Sequence, residues 1–367
     1  MVRHLYIHVP FCHRICPYCN FYKHTPGGTD HGAFVRSLLD ELKERSSEYD
    51  LRPDTIYLGG GTPTALSSQH LGKLLEGITN ILETGNLIEW DIEANPATFN
   101  HGKAQLMRNA GITRVSLGIQ SWTPATLTTL GRDHSPEDAR AAFETLRSCE
   151  FPSLNIDMMF SIPGQSPQSW LSDLEYTLKL NPDHVSAYNL NYEEDTEFFE
   201  RLHKGEFREN AEHDIAFFTD AMEILGKAGF DHYEISNYAK PGHYSKHNSA
   251  YWSGADYLGI GPGAFSTVNR TRWRNVADTG KYITTVSSGN ITGLVTERET
   301  INDSAFRAER IALQLRTSGG LKKEILGHTR KNIPELADEG LIEDRNERVF
   351  LTDKGKLLAD SVASHLL

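Results

Sequence analysis

No run of about 18 or more consecutive apolar residues occurs in this chain of 367 residues, so no transmembrane helix is expected. The N-terminal stretch MVRHLYIHVPFC also lacks the long apolar core of a secretory signal peptide, and it is predicted to form the first strand of the fold. Hydrophobic residues make up 38% of the chain and charged residues 23%, values typical of a globular protein. A chain of this length is expected to contain more than one domain.

Positive charge is in deficit. The 37 lysines and arginines face 49 aspartates and glutamates, which gives a formal net charge of −12. Because no global positive field would attract phosphates, this balance argues against a general nucleic-acid or anionic-membrane binder. We therefore expect no nucleic-acid partner, and a protein that is not integral to a membrane.

Cysteine is scarce, and its distribution is uneven. Of the four cysteines, Cys12, Cys16 and Cys19 stand within eight residues, whereas Cys149 is alone near a predicted helix end. This pattern does not make a disulfide framework, and in the reducing cytosol such clusters bind metal. We therefore predict a cytoplasmic protein with a metal site at the cluster, and a small buried side chain at Cys149.

Short β-rich runs alternate with helical stretches from residue 4 to about residue 190. The predicted strands cover residues 5–9, 55–60, 88–95, 114–120, 154–160 and 184–190. One predicted helix has Phe34, Leu38 and Leu42 on one face, and others cover 67–83, 101–110, 136–148 and 168–180. Six such units of about 30 residues predict an α/β fold with a parallel sheet, open or closed into a partial barrel. Functional residues are then expected at the carboxyl ends of the strands.

The rest of the chain is less regular. A helix is predicted at 211–228 and a strand near 230–236, followed by a Gly-, Tyr- and Asn-rich stretch at 237–267. The C-terminal pattern is mostly helical and ends in a helix, a short hairpin and a terminal helix. It is typical of a winged-helix-like module used for packing or docking, since its charges have mixed signs. The predicted division is a core at 1–195, an extension at 196–295 and a C-terminal domain at 296–367.

Three clustered thiolates are too few to close a four-thiolate site. Cubane iron–sulfur clusters usually have four cysteine ligands, so three leave one iron open to an exogenous ligand. The spacing Cys-x3-Cys-x2-Cys resembles the signature of radical S-adenosylmethionine (SAM) proteins, in which the amino and carboxylate groups of SAM chelate the fourth iron. The alternative is a zinc site completed by a histidine, for which His8, His13 or His24 could serve.

Matching polar residues follow the next predicted strands. The second strand ends in GGGTPT, residues 59–64, whose glycines let the backbone approach a ligand without clashes from Cβ atoms. Glu93 ends the third strand, where a carboxylate can bind an ammonium or a ribose hydroxyl. Gln120 ends the fourth strand, Arg132 follows it, and Asp157 belongs to the fifth. Each residue alone is compatible with a structural polar group, but their order on successive strands is specific.

The chain resembles the oxygen-independent coproporphyrinogen III oxidase family, and most closely its branch of haem chaperones. The resemblance covers nearly the whole length through the motifs YIHVPFCHRICPYCNFY, YLGGGTPT, IEANPATF, SLGIQSW, LGRDHS, NIDMMFSIPGQ, HYEISNYAKPG, HNSAYW and YLGIGPGAFS. It implies a partial six-unit radical SAM barrel that holds one [4Fe–4S] cluster on Cys12, Cys16 and Cys19.

The resemblance also implies a SAM site. Tyr6, Gly60 and Glu93 would contact the SAM that is bound to the cluster. In the oxidase branch a second SAM lies alongside the first, and the sequence leaves open whether one binds here. The matching positions are Tyr18, Gly61, Thr62, Gln120, Arg132 and Asp157.

Two departures from the oxidase branch favour the chaperone branch. The oxidases carry a fourth cysteine two residues after the third, where this chain has Phe21. They also carry a long N-terminal extension, whereas only eleven residues precede Cys12 here. The segment HNSAYW, residues 247–252, matches the motif associated with haem binding in the chaperone branch.

His247 is the predicted haem ligand, because imidazole is a common axial ligand of haem iron. Tyr251 and Trp252 would cover a porphyrin face. Gly242 and Gly254 bracket the segment, so we predict a loop rather than a helix. The competing interpretation is a structural histidine bonded to the backbone, with Trp252 filling the core.

Two functions follow from the resemblance. The first is a haem chaperone that binds haem and passes it to an acceptor protein, with the cluster and SAM as structural or regulatory parts. The second is an enzyme, an oxygen-independent coproporphyrinogen III oxidase (dehydrogenase) that acts through a 5′-deoxyadenosyl radical. The sequence leaves open whether SAM is cleaved, and it identifies neither the acceptor, the oligomeric state nor a second axial haem ligand.

The cysteine cluster generates the first testable prediction. Protein purified without oxygen should contain about four irons and four sulfides per chain, the content of a cubane cluster. Replacing Cys12, Cys16 or Cys19 by Ala should each abolish the brown chromophore, whereas Cys149→Ala should leave it unchanged. Stoichiometric zinc instead of iron after anaerobic reconstitution would contradict the cluster assignment.

Overall fold

The computed structural model describes all 367 residues, and most of its strands belong to one nine-stranded sheet. The strands of that sheet are β1 Val2–Val9, β2 Leu51–Gly60, β3 Glu89–Ala94, β4 Arg114–Gln120, β5 Ser153–Phe160, β6 His184–Asn189, β7 Asp231–Glu234, β8 Asn237–Ala239 and β9 Leu258–Ile260. Their order is β7-β8-β6-β5-β4-β3-β2-β1-β9, in which β1 to β6 run parallel to one another and β8 pairs antiparallel with β6. The two edge strands do not pair with each other, so the six parallel strands form a partial barrel. The predicted α/β fold is thereby confirmed.

Two small antiparallel sheets and fourteen helices complete the chain. The remaining strands are β10 Phe265–Val268, β11 Thr271–Asn275, β12 Val295–Thr300, β13 Leu321–Lys322, β14 Ile342–Arg345 and β15 Arg348–Leu351. The helices are α1 His31–Glu48, α2 Ser68–Ile81, α3 His101–Asn109, α4 Pro124–Thr129, α5 Pro136–Ser148, α6 Pro167–Lys179, α7 Glu197–His203, α8 Ala211–Lys227, α9 Lys246–Ser253, α10 Thr279–Ser287, α11 Asp303–Leu315, α12 Ile333–Asp338, α13 Asp353–Lys356 and α14 Ala359–His365. None of these helices combines the length and the hydropathy of a membrane span.

The two faces of the parallel strands differ in chemistry. Successive side chains of a strand point to opposite faces. On β1, Leu5, Ile7 and Val9 are buried in the main hydrophobic core, which the surrounding helices share. The side chains that alternate with the apolar ones on β3 to β6 are polar and line a central cavity. The helices therefore pack against an apolar outer face, and the barrel encloses a polar lumen.

Helix α9 follows β8 on one side of the sheet and precedes β9 on the opposite edge, so its segment connects the two sides of the sheet. The carboxylate of Glu89, at the start of β3, accepts hydrogen bonds from the backbone amides of Lys246 and His247 at 3.0 and 2.9 Å. A carboxylate at this position accepts hydrogen bonds from amides of the first turn, and its negative charge interacts favourably with the positive end of the helix dipole. Helix α9 is thus fixed at the amino end of the lumen.

The prediction of a loop at residues 247–252 is wrong, because these residues belong to α9. Ser245 is the N-cap and accepts a hydrogen bond from the amide of Asn248 at 3.2 Å. Gly254 adopts a left-handed conformation with φ 71° and ends the helix. The glycine that suggested a loop therefore acts as a helix C-cap.

The C-terminal part has its own small core. Twelve buried residues between Ile311 and Leu366 form a cluster separate from the main core, around the sheet β13-β15-β14. The predicted boundary at residue 296 falls inside β12, which pairs with β11 over Val295–Thr300. Residues 296–300 therefore belong to the preceding sheet, and the hairpin β14–β15 followed by α13 and α14 matches the predicted winged-helix-like pattern.

Candidate functional site

The cysteine loop covers the carboxyl end of the barrel, at the mouth of a cavity of about 460 Å³. The cavity continues down the lumen to Ser245 and Asn248 at the start of α9. All the predicted cluster and SAM residues except Tyr6 line it, namely Cys12, Cys16, Tyr18, Cys19, Gly60, Gly61, Thr62, Glu93, Gln120, Arg132 and Asp157. Residues that are far apart in the sequence thus meet in one cavity, because most of them lie at or after the carboxyl end of a parallel strand and Asp157 points inward from the middle of β5.

Backbone hydrogen bonds hold the cysteine loop in place. The amide of Cys12 donates to the carbonyl of His24 at 3.0 Å, and the amide of His24 donates to the carbonyl of Pro10 at 2.9 Å. The Cys12 sulfur lies 3.7 Å from the Thr62 hydroxyl, and the Arg132 guanidinium lies 3.5 Å from the Cys16 sulfur. A buried cation beside this sulfur is available to balance the negative charge that metal-bound thiolates would bring.

The three thiols form no disulfide, and burial raises the pKa of two of them. Burial raises the pKa of Cys12 to about 11 and also raises the pKa of Cys19. Without a metal these two thiols are therefore protonated at neutral pH, and a metal must displace their protons to bind. The donor set, three sulfurs at the mouth of the cavity with Arg132 beside one of them, fits a thiolate-ligated cluster.

Two of the three histidines that could complete a zinc site already have hydrogen-bond partners on both ring nitrogens. His8 uses both ring nitrogens, with the Tyr22 carbonyl at 2.7 Å and the Tyr6 hydroxyl at 3.0 Å. His24 also uses both, with the carbonyl of Thr25 and the hydroxyl of Thr279 at 2.8 Å each. Among all 367 residues, no group of three or more His, Cys, Asp or Glu side chains is placed to hold a single metal ion.

The glycines after β2 are required by the protein itself. At Gly60, whose φ is +104°, a Cβ atom would lie 2.2 Å from the ring of His8. At Gly61 it would lie 2.7 Å from the backbone of Pro10. Both distances are far below van der Waals contact, so any side chain would push this turn away from the end of β1. The same close packing leaves the backbone of the turn facing the cavity.

Glu93 is a half-buried carboxylate that contacts this turn. It accepts hydrogen bonds from the Tyr57 hydroxyl at 2.8 Å and from the Gly60 amide at 3.1 Å. Burial raises its pKa to about 7, and Asp157 adds to the rise, while the two hydrogen bonds oppose it. Glu93 therefore gains from any cationic or hydrogen-bond-donating ligand that enters the cavity.

A second layer of polar groups lies below Glu93. Asp91 and Arg114 form an ion pair at 3.3 Å, with both side chains about 3% exposed. Asp157 accepts hydrogen bonds from Ser116 at 2.9 Å and from Asn155 at 2.7 Å. One oxygen of Asp91 and one nitrogen of Arg114 have no protein partner and belong to side chains that line the cavity. The lower lumen is therefore built for polar contents rather than for apolar ones.

Sequence reasoning predicted Asp157 but missed the other residues of this layer, Asp91, Arg114, Ser116 and Asn155, and also missed Tyr57. The signal was present in the strands, where WDIEA and NIDMM alternate polar with apolar residues. In a barrel both faces of a strand are buried, so the polar face lines the lumen instead of meeting solvent. Gln120 carries a further mark of a constrained site, since its φ of +73° lies in the left-handed region.

Tyr6 is the one predicted SAM residue that does not line the cavity. Its ring stacks on Tyr57 with centroids 6.0 Å apart, and its hydroxyl is bonded to His8. Tyr6 thus contacts Tyr57, which donates a hydrogen bond to Glu93, and has no direct contact with the cavity.

His247 is separate from the cavity lining and is about 1% exposed. One ring nitrogen is bonded to the Thr55 hydroxyl at 2.8 Å, and the other to the Tyr251 hydroxyl at 2.9 Å. Burial lowers the pKa of His247 to about 3, so the ring is neutral. Both ring nitrogens of His247 are therefore engaged in this conformation, one of them by Tyr251. Ligation of haem iron by His247, with Tyr251 and Trp252 covering a porphyrin face, stays a prediction.

Comparison with known proteins gives consistent results over the whole length. The model of the radical SAM superfamily matches residues 6–177. The chain is 33% identical to the haem chaperone HemW of Lactococcus lactis, over 99% of this chain and 96% of that relative. It is 35% identical to the haem chaperone HemW of Mycobacterium tuberculosis, over 99% of this chain and 94% of that relative.

Among solved structures, coproporphyrinogen III oxidase (HemN) from Escherichia coli, titled a radical SAM enzyme, has a TM-score of 0.84. The match covers 100% of this chain and 90% of the oxidase at 20% sequence identity. This likeness confirms the fold of the partial barrel and of the segments that follow it.

The burial of Glu93 predicts a pH dependence of stability. Its pKa is raised from 4.5 to about 7, so folding favours the protonated form, and this contribution is lost as pH rises between those values. In cluster-free protein, wild type should lose stability between about pH 5 and about pH 7.5 as Glu93 ionises, whereas Glu93→Gln should not. The free energy of unfolding of the variant minus that of wild type should therefore be larger at about pH 7.5 than at about pH 5, by at most about 3 kcal/mol. Urea unfolding at both pH values measures the difference.

Asp133→Asn is the matched control for this experiment. The neighbouring His134, whose ring nitrogen lies 3.9 Å from the carboxylate, leads the effects that lower the pKa of Asp133 to about 2, so that carboxyl is ionised throughout this pH range in the folded protein. Its replacement should change stability by nearly the same amount at the two pH values. An equal change for Glu93→Gln at both values would contradict the raised pKa.

His247 generates a second prediction from this site. His247→Ala should lower the free energy of unfolding by roughly 2–4 kcal/mol, because it opens a cavity, leaves the Tyr251 hydroxyl without its partner and leaves Thr55 with His4 alone. The exposed His328 provides the control, since His328→Ala should leave the thermal midpoint unchanged. A His247→Ala variant of normal stability that has lost a haem Soret band would restore the direct ligand role.

Proposed function

The chain belongs to the HemW family of haem chaperones within the radical SAM superfamily, and from this premise we propose that it binds haem and passes it to an acceptor protein. The observation that carries the proposal is the full-length similarity, since at 33–35% identity it spans the barrel, the α9 segment and the C-terminal module together. The acceptor is a protein that accepts haem, and its identity is outside the proposal.

We propose that Cys12, Cys16 and Cys19 hold the [4Fe–4S] cluster that membership in the superfamily implies. When bound, such a cluster with SAM on its open iron supplies reductive cleavage chemistry. The chain's own part is to exclude water around the sulfurs and to balance charge through Arg132. Protonated thiols at Cys12 and Cys19 make cluster assembly release protons, so assembly should be favoured by higher pH.

The SAM contacts are also proposals. Glu93 would accept hydrogen bonds from the SAM amine or ribose, and binding would then favour its ionised form, since a donor or cation stabilises a carboxylate. Gly60 would present its backbone to the same ligand, with Tyr6 supporting the site through Tyr57. The remaining cavity positions would contact SAM or a second copy of it: Tyr18, Gly61, Thr62, Gln120, Arg132 and Asp157.

The haem role of His247 requires a rearrangement. For a ring nitrogen to reach iron, it must leave either Thr55 or Tyr251, and α9 must move relative to β2. This cost makes direct ligation by His247 the part of the proposal with the least structural support.

A second candidate function is that of an oxygen-independent coproporphyrinogen III oxidase. The observation in its favour is that the cavity gathers every predicted SAM residue but Tyr6. The overall similarity at higher identity is to haem chaperones, so we rank the oxidase second.

We propose the cytoplasm as the compartment, because a reducing environment keeps clustered thiols such as Cys12, Cys16 and Cys19 available to a metal. Neither a nucleic acid nor a membrane is part of the proposed function.

Haem delivery can be measured directly. Anaerobically purified wild type should bind about one haem per chain, seen as a Soret band, and should lose it to added apomyoglobin, which binds haem with an axial histidine. With SAM, a reductant and coproporphyrinogen III, it should form no more decarboxylated product than its Cys12→Ala variant. Product formation well above this control, without retained haem, would favour the oxidase instead.

A further inference from the structure

Helix α9 has two faces with different surroundings. Residues four apart share a face of a helix, so His247 and Tyr251 point together toward the barrel. Ser249, Trp252 and Ser253 lie on the other side and form one wall of an open groove of about 380 Å³. The opposite wall belongs to the C-terminal module, so the groove lies at the junction of the barrel and that module.

Aromatic rings line the α9 side of this groove. Tyr244 stacks on Tyr233 with centroids 4.4 Å apart and an interplanar angle of 6°. The Tyr244 hydroxyl donates to Asp231 at 2.8 Å, and the Tyr233 hydroxyl is bonded to His184 at 2.8 Å, so both rings are fixed. Tyr233 is buried, so Tyr244 and Trp252 are the half-buried aromatic rings on which another planar ring can stack.

Positive charge lines the module side. Lys322 on β13 and Arg348 on β15 face the groove, and Arg348 is held by the carbonyls of Gly319 and Gly320 at 2.9 Å each. Glu234 is the one acidic residue in the lining, and its carboxylate is engaged by its own turn through the Ser236 amide. Lys322 lies 3.4 Å from Glu324 in an exposed ion pair, so its ammonium can change partner, and the groove lining carries two cations against one carboxylate.

We propose that this groove binds haem, with the macrocycle against Tyr244 and Trp252 and the propionates on Lys322 and Arg348. The proposal rests on the proposed haem-chaperone function and assigns a place to it. A planar aromatic molecule with two carboxylates matches both the rings and the charges of the groove. Because His247 faces the other way, binding here depends on the macrocycle and the propionates rather than on ligation of iron by that residue.

Three tetrapyrrole probes separate the contributions of the macrocycle, the propionates and the iron. Haem, iron-free protoporphyrin IX and haem dimethyl ester are titrated into the full, cluster-containing protein and followed by absorbance and by quenching of tryptophan fluorescence. The groove predicts that protoporphyrin IX binds within about threefold of haem, since aromatic stacking does not need the metal. The dimethyl ester should bind more weakly, by about fivefold or more, because it cannot pair with the two cations.

Two variants with matched controls locate the site. Trp252→Ala should weaken both haem and protoporphyrin IX by about tenfold, whereas Phe265→Ala, at an aromatic residue exposed on β10, should have no effect. Lys322→Gln should weaken haem by about twofold to fivefold and leave the ester unchanged, with the exposed Lys354→Gln as its control. Lys322 is exposed, so this variant tests the groove even if Trp252→Ala folds poorly.

The failures are distinguishable. If wild type binds haem tightly but rejects protoporphyrin IX, and neither variant changes affinity, the groove assignment is wrong while the chaperone function stands. If wild type binds none of the three probes, the chaperone function itself fails and the groove with it.

Discussion

The rest of the structure depends on the need to satisfy polar groups that the strands bury inside the barrel. Strand alternation sends Glu93, Asp91 and Arg114 inward, and a buried polar group without a partner is costly. In the lumen these groups partner one another: Asp91 forms an ion pair with Arg114, and Tyr57 donates a hydrogen bond to Glu93. The groups left over line the cavity, so the same constraint that orders the barrel also makes its interior a polar binding site.

Helix α9, which contains the HNSAYW segment, closes this lumen from the amino end. Tyr57 donates to Glu93 and also lies 5.2 Å from the His247 ring, centroid to centroid. Contacts therefore run without a gap from the carboxylate of the proposed SAM site to the helix. A change in ionisation at Glu93 acts on Tyr57 directly, because Tyr57 is one of its two hydrogen-bond donors.

Local pattern predicted much of this fold, and the reasons for the exceptions are physical. Strand β4 and helix α5 were predicted to the residue, because alternation and a capping box mark them clearly. The gathering of cavity residues followed from the rule on parallel strand ends. Helix α9 was missed because Gly254 is equally typical of a loop and of a helix C-cap. Asp91 and Arg114 were missed because a polar strand face in a sequence does not distinguish a lumen from solvent.

The groove could not have been predicted from the sequence, because its walls come from three distant segments. Tyr233, Trp252 and Lys322 meet only once β7, α9 and the C-terminal module are packed together. Helix α9 then contributes to two cavities at once: Asn248 lines the lumen and Trp252 lines the groove. A short helix capped by Glu89 and Ser245 transmits displacement as a unit. Ligands at the two cavities can therefore influence each other only to the extent that each prefers a different position of α9.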